Sequence, residues 1–312
     1  MNNNNCKVKA DDALDNALKL YKKSKKSGLL FNFIYGTSHK NDLCHNAIDF
    51  LNIAVANYRF SKIFDKYIEC LILKAKIEGE LNDGNCVYTL LDIGKYYTQN
   101  DTYDSIKALK YYNMALDYCF ETNSDKIYII FNKIISLYEN ESDHNKVVEI
   151  CETFLSQYEH LLKENEIEKV YEKMADKCFL IGKYDKASFY FDKCAIIVNN
   201  KKYGAYLAEK FFHKSILSTL ANDDYVGAKI KYNRYCEISA TFSISKSGRL
   251  YSSILESIEQ ISEMNYTNVI KKYDYICRFQ PDEINAFNYI KNINFQNENH
   301  LMNNNHTEID IT

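Results

Sequence analysis

The chemistry this sequence can most readily do is electrostatic docking, and lysines supply it. Lys22, Lys23, Lys25 and Lys26 stand directly before an apolar run, Leu29, Leu30, Phe31, Asn32, Phe33, Ile34 and Tyr35, framed by Gly28 and Gly36. Asn32 is the one polar side chain in that run, so the 3.6-residue alternation of a half-buried helix is missing. An apolar loop over 28–36 beside a lysine cluster has the composition of a peripheral membrane contact. Each lysine near an anionic headgroup contributes about 1 kcal/mol, and inserted apolar side chains add on the order of several kcal/mol. The same run also reads as the connection between the first two helices.

Two further charged sets follow. Lys169 and Lys173, four residues apart, share one helical face. Lys126 and Lys133 lie on the preceding hairpin, so stacked hairpins could align all four into a basic strip that binds acidic helices. A solvated lysine face is the competing reading. Glu256, Glu259 and Glu263 recur at three- and four-residue spacing and line one face of a helix, at a repulsive cost of a few tenths of a kcal/mol that a basic partner would relieve. Glu308, Asp310 and Ile311 belong to an acidic–aliphatic alternation that suits a docking peptide or a solvated end.

Catalytic signatures are missing. No metalloprotease, dinucleotide, phosphate-loop or serine-hydrolase motif occurs. His39 and His45 are neighbours, but their spacing fits no zinc template. The ten cysteines form no C-x-x-C pair, and most fall on apolar helical faces, where a free thiol acts as a small hydrophobe. Catalysis, a cofactor and a metal are therefore not expected.

Composition says which elements must hold these residues in place. One proline and nine glycines in 312 residues exclude sheet folds, whose many turns depend on both. A net charge of −3 argues against nucleic acid as a partner. No run of about 18 apolar residues exists, and the N-terminus lacks a signal-peptide core, which points to the cytoplasm. A repeat appears as Ala108-x3-Tyr112-x2-Ala115, Val147-x3-Cys151-x2-Phe154 and Ala187-x3-Phe191-x2-Cys194, a period of roughly 40 residues. Small residues let antiparallel helices approach while the middle one fills the groove. Gly182 and Gly94 read as hairpin turns. The expected fold is all-α, a tetratricopeptide-like right-handed solenoid of antiparallel helical hairpins over residues 11–240. A C-terminal helical bundle over 241–295 caps it, with solvated tails at 1–10 and 296–312. Pro281 with Asp282 and Glu283 opens a helix that should bury Ile284, Phe287, Ile290 and Ile293.

Several stretches, in order, resemble the soluble NSF attachment proteins, the alpha/beta branch of the SNAP family. Tyr273 to Phe279 (Y-D-Y-I-C-R-F) is similar to that family's E-Y-D-S-I-S-R-L. Ala208 to Phe212, followed by Ala228-Lys229-x5-Tyr235, is similar to its A-K-D-Y-F-F and A-K-x5-Y. The run Leu29 to Gly36 sits where the family carries F-F-S-G-L-F-G-G, and Lys169 to Lys173 where it carries K-C-L-L-K. The resemblance covers about residues 15–295. It implies a non-enzymatic adaptor that binds SNARE complexes, recruits and stimulates the hexameric ATPase NSF, and so serves SNARE disassembly, vesicle fusion and intracellular protein transport. A generic helical-repeat scaffold for another cytosolic assembly is the alternative. By resemblance, Lys169 and Lys173 contact the SNARE bundle, with Lys126 and Lys133 flanking a further family lysine that aligns with Ile129. Asp224, Glu256, Glu259, Glu308, Asp310 and Ile311 face the ATPase, and the run from Leu29 to Ile34 touches vesicle, Golgi or plasma membrane. A family lysine pair is replaced by uncharged residues around Tyr97 and Thr98.

Overall fold

The computed structural model describes residues 3–26, 29–122 and 125–295, and among them every regular element is helical. The chain divides into two compact units, Met1–Leu137 and Tyr138–Thr312. In the first, α1 (Asn3–Lys26), α2 (Leu29–Phe60), α3 (Phe64–Glu80), α4 (Asn85–Tyr96) and α5 (Ser105–Glu121) pack each on the next. The helix α6 (Ile127–Asn140) carries the boundary.

Residues 3–10 begin α1 and are not the expected solvated tail. Cys6, Ala10, Ala13, Ala17 and Tyr21 repeat at three- and four-residue steps and are all buried, so one stripe of mostly small side chains runs to the start of α1 and lets α2 approach closely. Ala47, Leu51, Ala54 and Tyr58 of α2 and Cys70 and Ile77 of α3 complete this core. The apolar run is not a loop either. Leu29 to Gly36 form the opening turns of α2, because nothing in the run forbids helix and an interior glycine costs only about 1 kcal/mol. The side chains of residues 27–37 lie outside the described residues.

The second unit holds α7 (His144–Tyr158), α8 (Glu164–Leu180), α9 (Tyr184–Asn199), α10 (Gly204–Ala221), α11 (Tyr225–Ile238), α12 (Lys246–Glu259), α13 (Glu263–Cys277) and α14 (Pro281–Phe295). Neighbours in sequence pack together, and α12 and α14 also rest on α10. Residues 241–295 therefore belong to the same unit as α7–α11, with no division at 240. All nine positions of the three repeat copies are buried, on α5, α7 and α9. The fold is all-α and tetratricopeptide-like.

The turn after α8 uses glycine, Gly182, as expected, but most turns do not. Lys62, Asn82, Ser142, Gly182, Asp223 and Ile261 each take a positive φ, from 50° to 74°. After each, the next amide bonds back to a carbonyl five residues earlier, as Lys183 N does to Cys178 O at 2.9 Å and Ser262 N to Ser257 O at 2.9 Å. This is the Schellman closure of a helix C-terminus. Asp143, Asp224 and Ser262 then cap the following helix through their side chains. Gly94 is not a turn residue but sits inside α4, where an added Cβ would lie 2.3 Å from Tyr112 Cε1. It is glycine because the ring of α5 occupies that space.

Pro281 opens α14 as expected, but Ile284 is exposed and Glu283 is buried in its place, while Phe287 and Ile290 are buried and Ile293 half-buried. Glu283 accepts from Gln280 N at 2.8 Å, a cap of its own helix, and lies 3.2 Å from His213 Nε2. Tyr251 hydroxyl sits 3.1 Å from the other ring nitrogen of His213 and donates to its backbone carbonyl at 2.9 Å. A carboxylate so bonded can face inward, and that rotates Ile284 outward.

Candidate interaction surfaces

Within the first unit, the lysine cluster occupies the last turn of α1, where cations complement the helix dipole. Lys22, Lys23 and Lys26 are exposed. Lys25 is engaged inside the unit, 2.7 Å from Glu80 of α3, whose carboxylate also accepts from Tyr21 hydroxyl at 2.8 Å. Burial works to raise the Glu80 pKa, but those two hydrogen bonds outweigh it and hold it below the usual range. Lys126 lies in the turn before α6, 3.0 Å from Asp125, and Lys133 is exposed on α6. The apolar partners expected beside the cluster, Leu29, Leu30, Phe31, Phe33 and Ile34, have side chains outside the described residues.

In the second unit, α8 separates the two lysines expected to act together. Lys169 is exposed, whereas Lys173 is bonded to Glu139 at 2.9 Å, with Lys177 at 3.2 Å from the same oxygen. Burial pushes the Glu139 pKa up, yet the two ammonium groups hold it down. Other charges on α8 and its neighbours are likewise committed to stacking. Glu172 holds Lys210 and Asp176 holds Lys214, both at 2.7 Å, and Glu168 holds Lys201. Between the second helices of successive hairpins, Glu152 receives Lys186 and Tyr190 hydroxyl at 2.7 Å, and Asp192 receives Arg234 and Tyr235. The partners lie 33 to 43 residues apart, the same period as the apolar repeat. An acid and a base one repeat apart in the same register is a signal the sequence carries, and reading the lysines alone missed it.

A buried polar group adds to the ties. Lys231 of α11 reaches Ser188 of α9 and lies 3.2 Å from Ser215 Oγ of α10, while Tyr235 hydroxyl donates to Ser215 at 2.9 Å. Burial depresses the Lys231 pKa. A serine beside such a lysine could serve as a nucleophile, but both hydroxyls are buried in the helix contacts. The group binds three helices together.

The expected acidic face is split. Glu256 and Glu259 are exposed on the last turn of α12, but a turn intervenes before Glu263, which starts α13 and pairs with Lys291 of α14 at 2.9 Å. Ile261 in the left-handed conformation ends the helix that the spacing predicted to continue. Asp224 joins the first two instead. It is exposed, caps α11 by accepting from Gly227 N at 2.7 Å, and adjoins Tyr225, whose hydroxyl reaches Leu255 O at 3.4 Å. Lys229 of α11 is 3.2 Å from Glu259. Asp224, Glu256 and Glu259 therefore ride on one packed helix pair, α11 and α12. Glu308, Asp310 and Ile311 lie outside the described residues.

A statistical model of the family described as "Soluble NSF attachment protein, SNAP" matches residues 8–294. The chain belongs to the soluble NSF attachment protein family. The match runs from the second turn of α1 to the last turn of α14, so both units are family structure. Among curated relatives, the alpha-soluble NSF attachment protein of Homo sapiens is 23% identical over 82% of this chain and 86% of its own length. The beta-soluble NSF attachment protein of Bos taurus is 23% identical over 79% of this chain and 82% of its own. Among solved structures, BtubC (BKLC) from P. vanneervenii aligns over 75% of this chain and 92% of its own at 15% identity, with a TM-score of 0.39.

Proposed function

We propose that this chain is a cytoplasmic adaptor that binds SNARE complexes of syntaxin type at membranes and recruits and stimulates an NSF-type hexameric ATPase for their disassembly. It would act in vesicle fusion and intracellular protein transport, peripherally on vesicle, Golgi and plasma membranes. The observation that carries this reading is the family match across both units, from residue 8 to residue 294. No helix among the described residues is long and apolar enough to cross a membrane, which fits a peripheral association through Lys22, Lys23 and Lys26 and the apolar start of α2.

The charges assign unequal parts. Lys169 and Lys133 are exposed and free to meet an acidic helical bundle, whereas Lys173 must first leave Glu139. Asp224 and Glu256, with Glu259 once it leaves Lys229, offer an acidic patch for the ATPase on α11 and α12, to which Glu308, Asp310 and Ile311 would add. Several copies around one bundle would convert weak single contacts into useful avidity. Co-sedimentation with a preassembled SNARE complex tests the reading. Binding at low ionic strength that weakens as salt is raised is expected. No binding at low salt would overturn it in favour of a helical scaffold for another assembly.

A further inference from the structure

An open cleft of about 570 Å³ lies within the second unit, between the start of α10, the start of α12 and the α13–α14 joint. That volume is in the range of pockets that hold small ligands or a few peptide side chains. Tyr206 and Leu207 form an apolar rim and are exposed at 82% and 58%. Leu250 and Phe279 line it further in, Phe279 stacked on the His213 ring at 6.0 Å between centroids.

The charge in the cleft is unevenly settled. Lys210 is held by Glu172, Glu283 is satisfied by His213 and Gln280, and Glu209 accepts from Ser247 N at 3.3 Å. Ser245 caps Gly248 N at 3.1 Å, so the start of α12 already has acceptors. Lys246 and Arg278 remain. Both are exposed, both line the cleft, and neither meets a carboxylate among the described residues. A complementary ligand would place carboxylates against Lys246 and Arg278 and aliphatic side chains against the apolar lining.

We propose that the segment Glu308–Ile311 of this same chain occupies the cleft in cis. An extended segment in which Glu308 and Asp310 alternate with Ile309 and Ile311 presents carboxylates on one side and aliphatic groups on the other. Its two acids match the two unpaired cations. Reach permits the contact. Glu283, which lines the cleft, lies in the first turn of α14, which ends at Phe295, so that helix leads away by about 18 Å. Residues 296–307 can span at most about 40 Å when extended. The proposal goes beyond the adaptor reading, because it concerns where these acids rest when no ATPase is bound. It is independent of whether one ever binds.

The chain contains no tryptophan, so Ile311→Trp in the full-length protein installs a sole reporter. Docked, its indole should emit to the blue of a water-exposed indole and resist quenching by acrylamide. The emission should move to that of a water-exposed indole in strong salt and in the added double variant Lys246→Glu, Arg278→Glu. Exposed charges are the ones changed, so the helical circular dichroism should be retained. Adding Glu308→Lys and Asp310→Lys to that variant should return the blue shift, which a merely misfolded cleft would not do. Solvent-exposed emission in the starting protein, indifference to the cleft charges, or a blue shift that vanishes on hundredfold dilution would each overturn docking in cis. A result of any of these kinds leaves the SNARE co-sedimentation test untouched.

Discussion

The two units stack their helices by different means. Met1–Leu137 closes its α1–α2 interface with small apolar residues, Ala10, Ala13, Ala17, Ala47 and Ala54, and its ion pairs across that core are Lys25–Glu80 and Lys66–Asp11. Tyr138–Thr312 ties successive hairpins with acids that each hold a base one repeat away: Glu139, Glu152, Glu168, Glu172, Asp176 and Asp192. A lysine employed in stacking is not free for a partner, so the number of lysines overstates the basic surface in both units, and in the second the committed bases recur from one hairpin to the next. Buried carboxylates follow the same division. Glu78 in the first unit meets Thr89 hydroxyl at 2.6 Å, with Lys74 at 3.5 Å, and burial wins, raising its pKa. For Glu283 in the second unit burial also pushes upward, but the His213 hydrogen bond leads a set of groups that prevail and lower it.

Core substitutions should show the largest contrast. Phe191→Ala, which empties the groove-filling position of a repeat, should cost about 3–5 kcal/mol. Ala17→Leu, which overfills the α1–α2 contact, should cost about 1–3 kcal/mol. Urea titrations followed by circular dichroism measure both. A neutral Ala17→Leu would break the account of how the first unit packs.

The same substitution at the two buried glutamates should act with opposite signs. Glu283 has a depressed folded pKa, so it contributes stability above its unfolded value near 4.5 that is lost as pH falls through the folded value. Glu78 has a raised folded pKa, so its contribution is complete below that unfolded value and is lost as pH rises through the folded one. At pH 7, Glu283→Gln should destabilise and Glu78→Gln stabilise, each by on the order of 1 kcal/mol. The difference between them should shrink near pH 3, and thermal melts at the two pH values decide it.

Turns give the next effect. Ile261 is a β-branched residue held at φ 50°, and Gly182 at φ 74° has open space where a Cβ would go. Ile261→Gly should stabilise and Gly182→Ala should destabilise, each by about 1 kcal/mol. Smallest is the ladder itself. Asp176→Asn should cost about 0.2–1 kcal/mol, and the loss should diminish in high salt. A salt-independent penalty would mean that Asp176 acts through packing and not through Lys214.

What the sequence made legible were features with a period. Ala108, Tyr112 and Ala115, with Ala187, Phe191 and Cys194, announced the hairpins, and all six are buried. The start of α1 escaped because asparagines hid a stripe whose buried members are mostly alanines, which carry little hydrophobic signal. The turns escaped because seven of the eight left-handed positions among the described residues are not glycine. Lys173 was legible as a lysine on the right face but not as the partner of Glu139, a fact set one repeat away. Glu283 looked like a solvated first-turn acid, and only a histidine 70 residues earlier allows it inside.

The most direct measurement is the rate at which an NSF-type ATPase disassembles a preformed SNARE complex with and without this chain. Wild-type protein should accelerate disassembly. Lys169→Glu should reduce that acceleration more than Lys173→Glu, because Lys173 is already paired. Rates identical with and without the chain at low salt would contradict the adaptor assignment. Equal losses from the two lysine variants would contradict the division between stacking and docking charges.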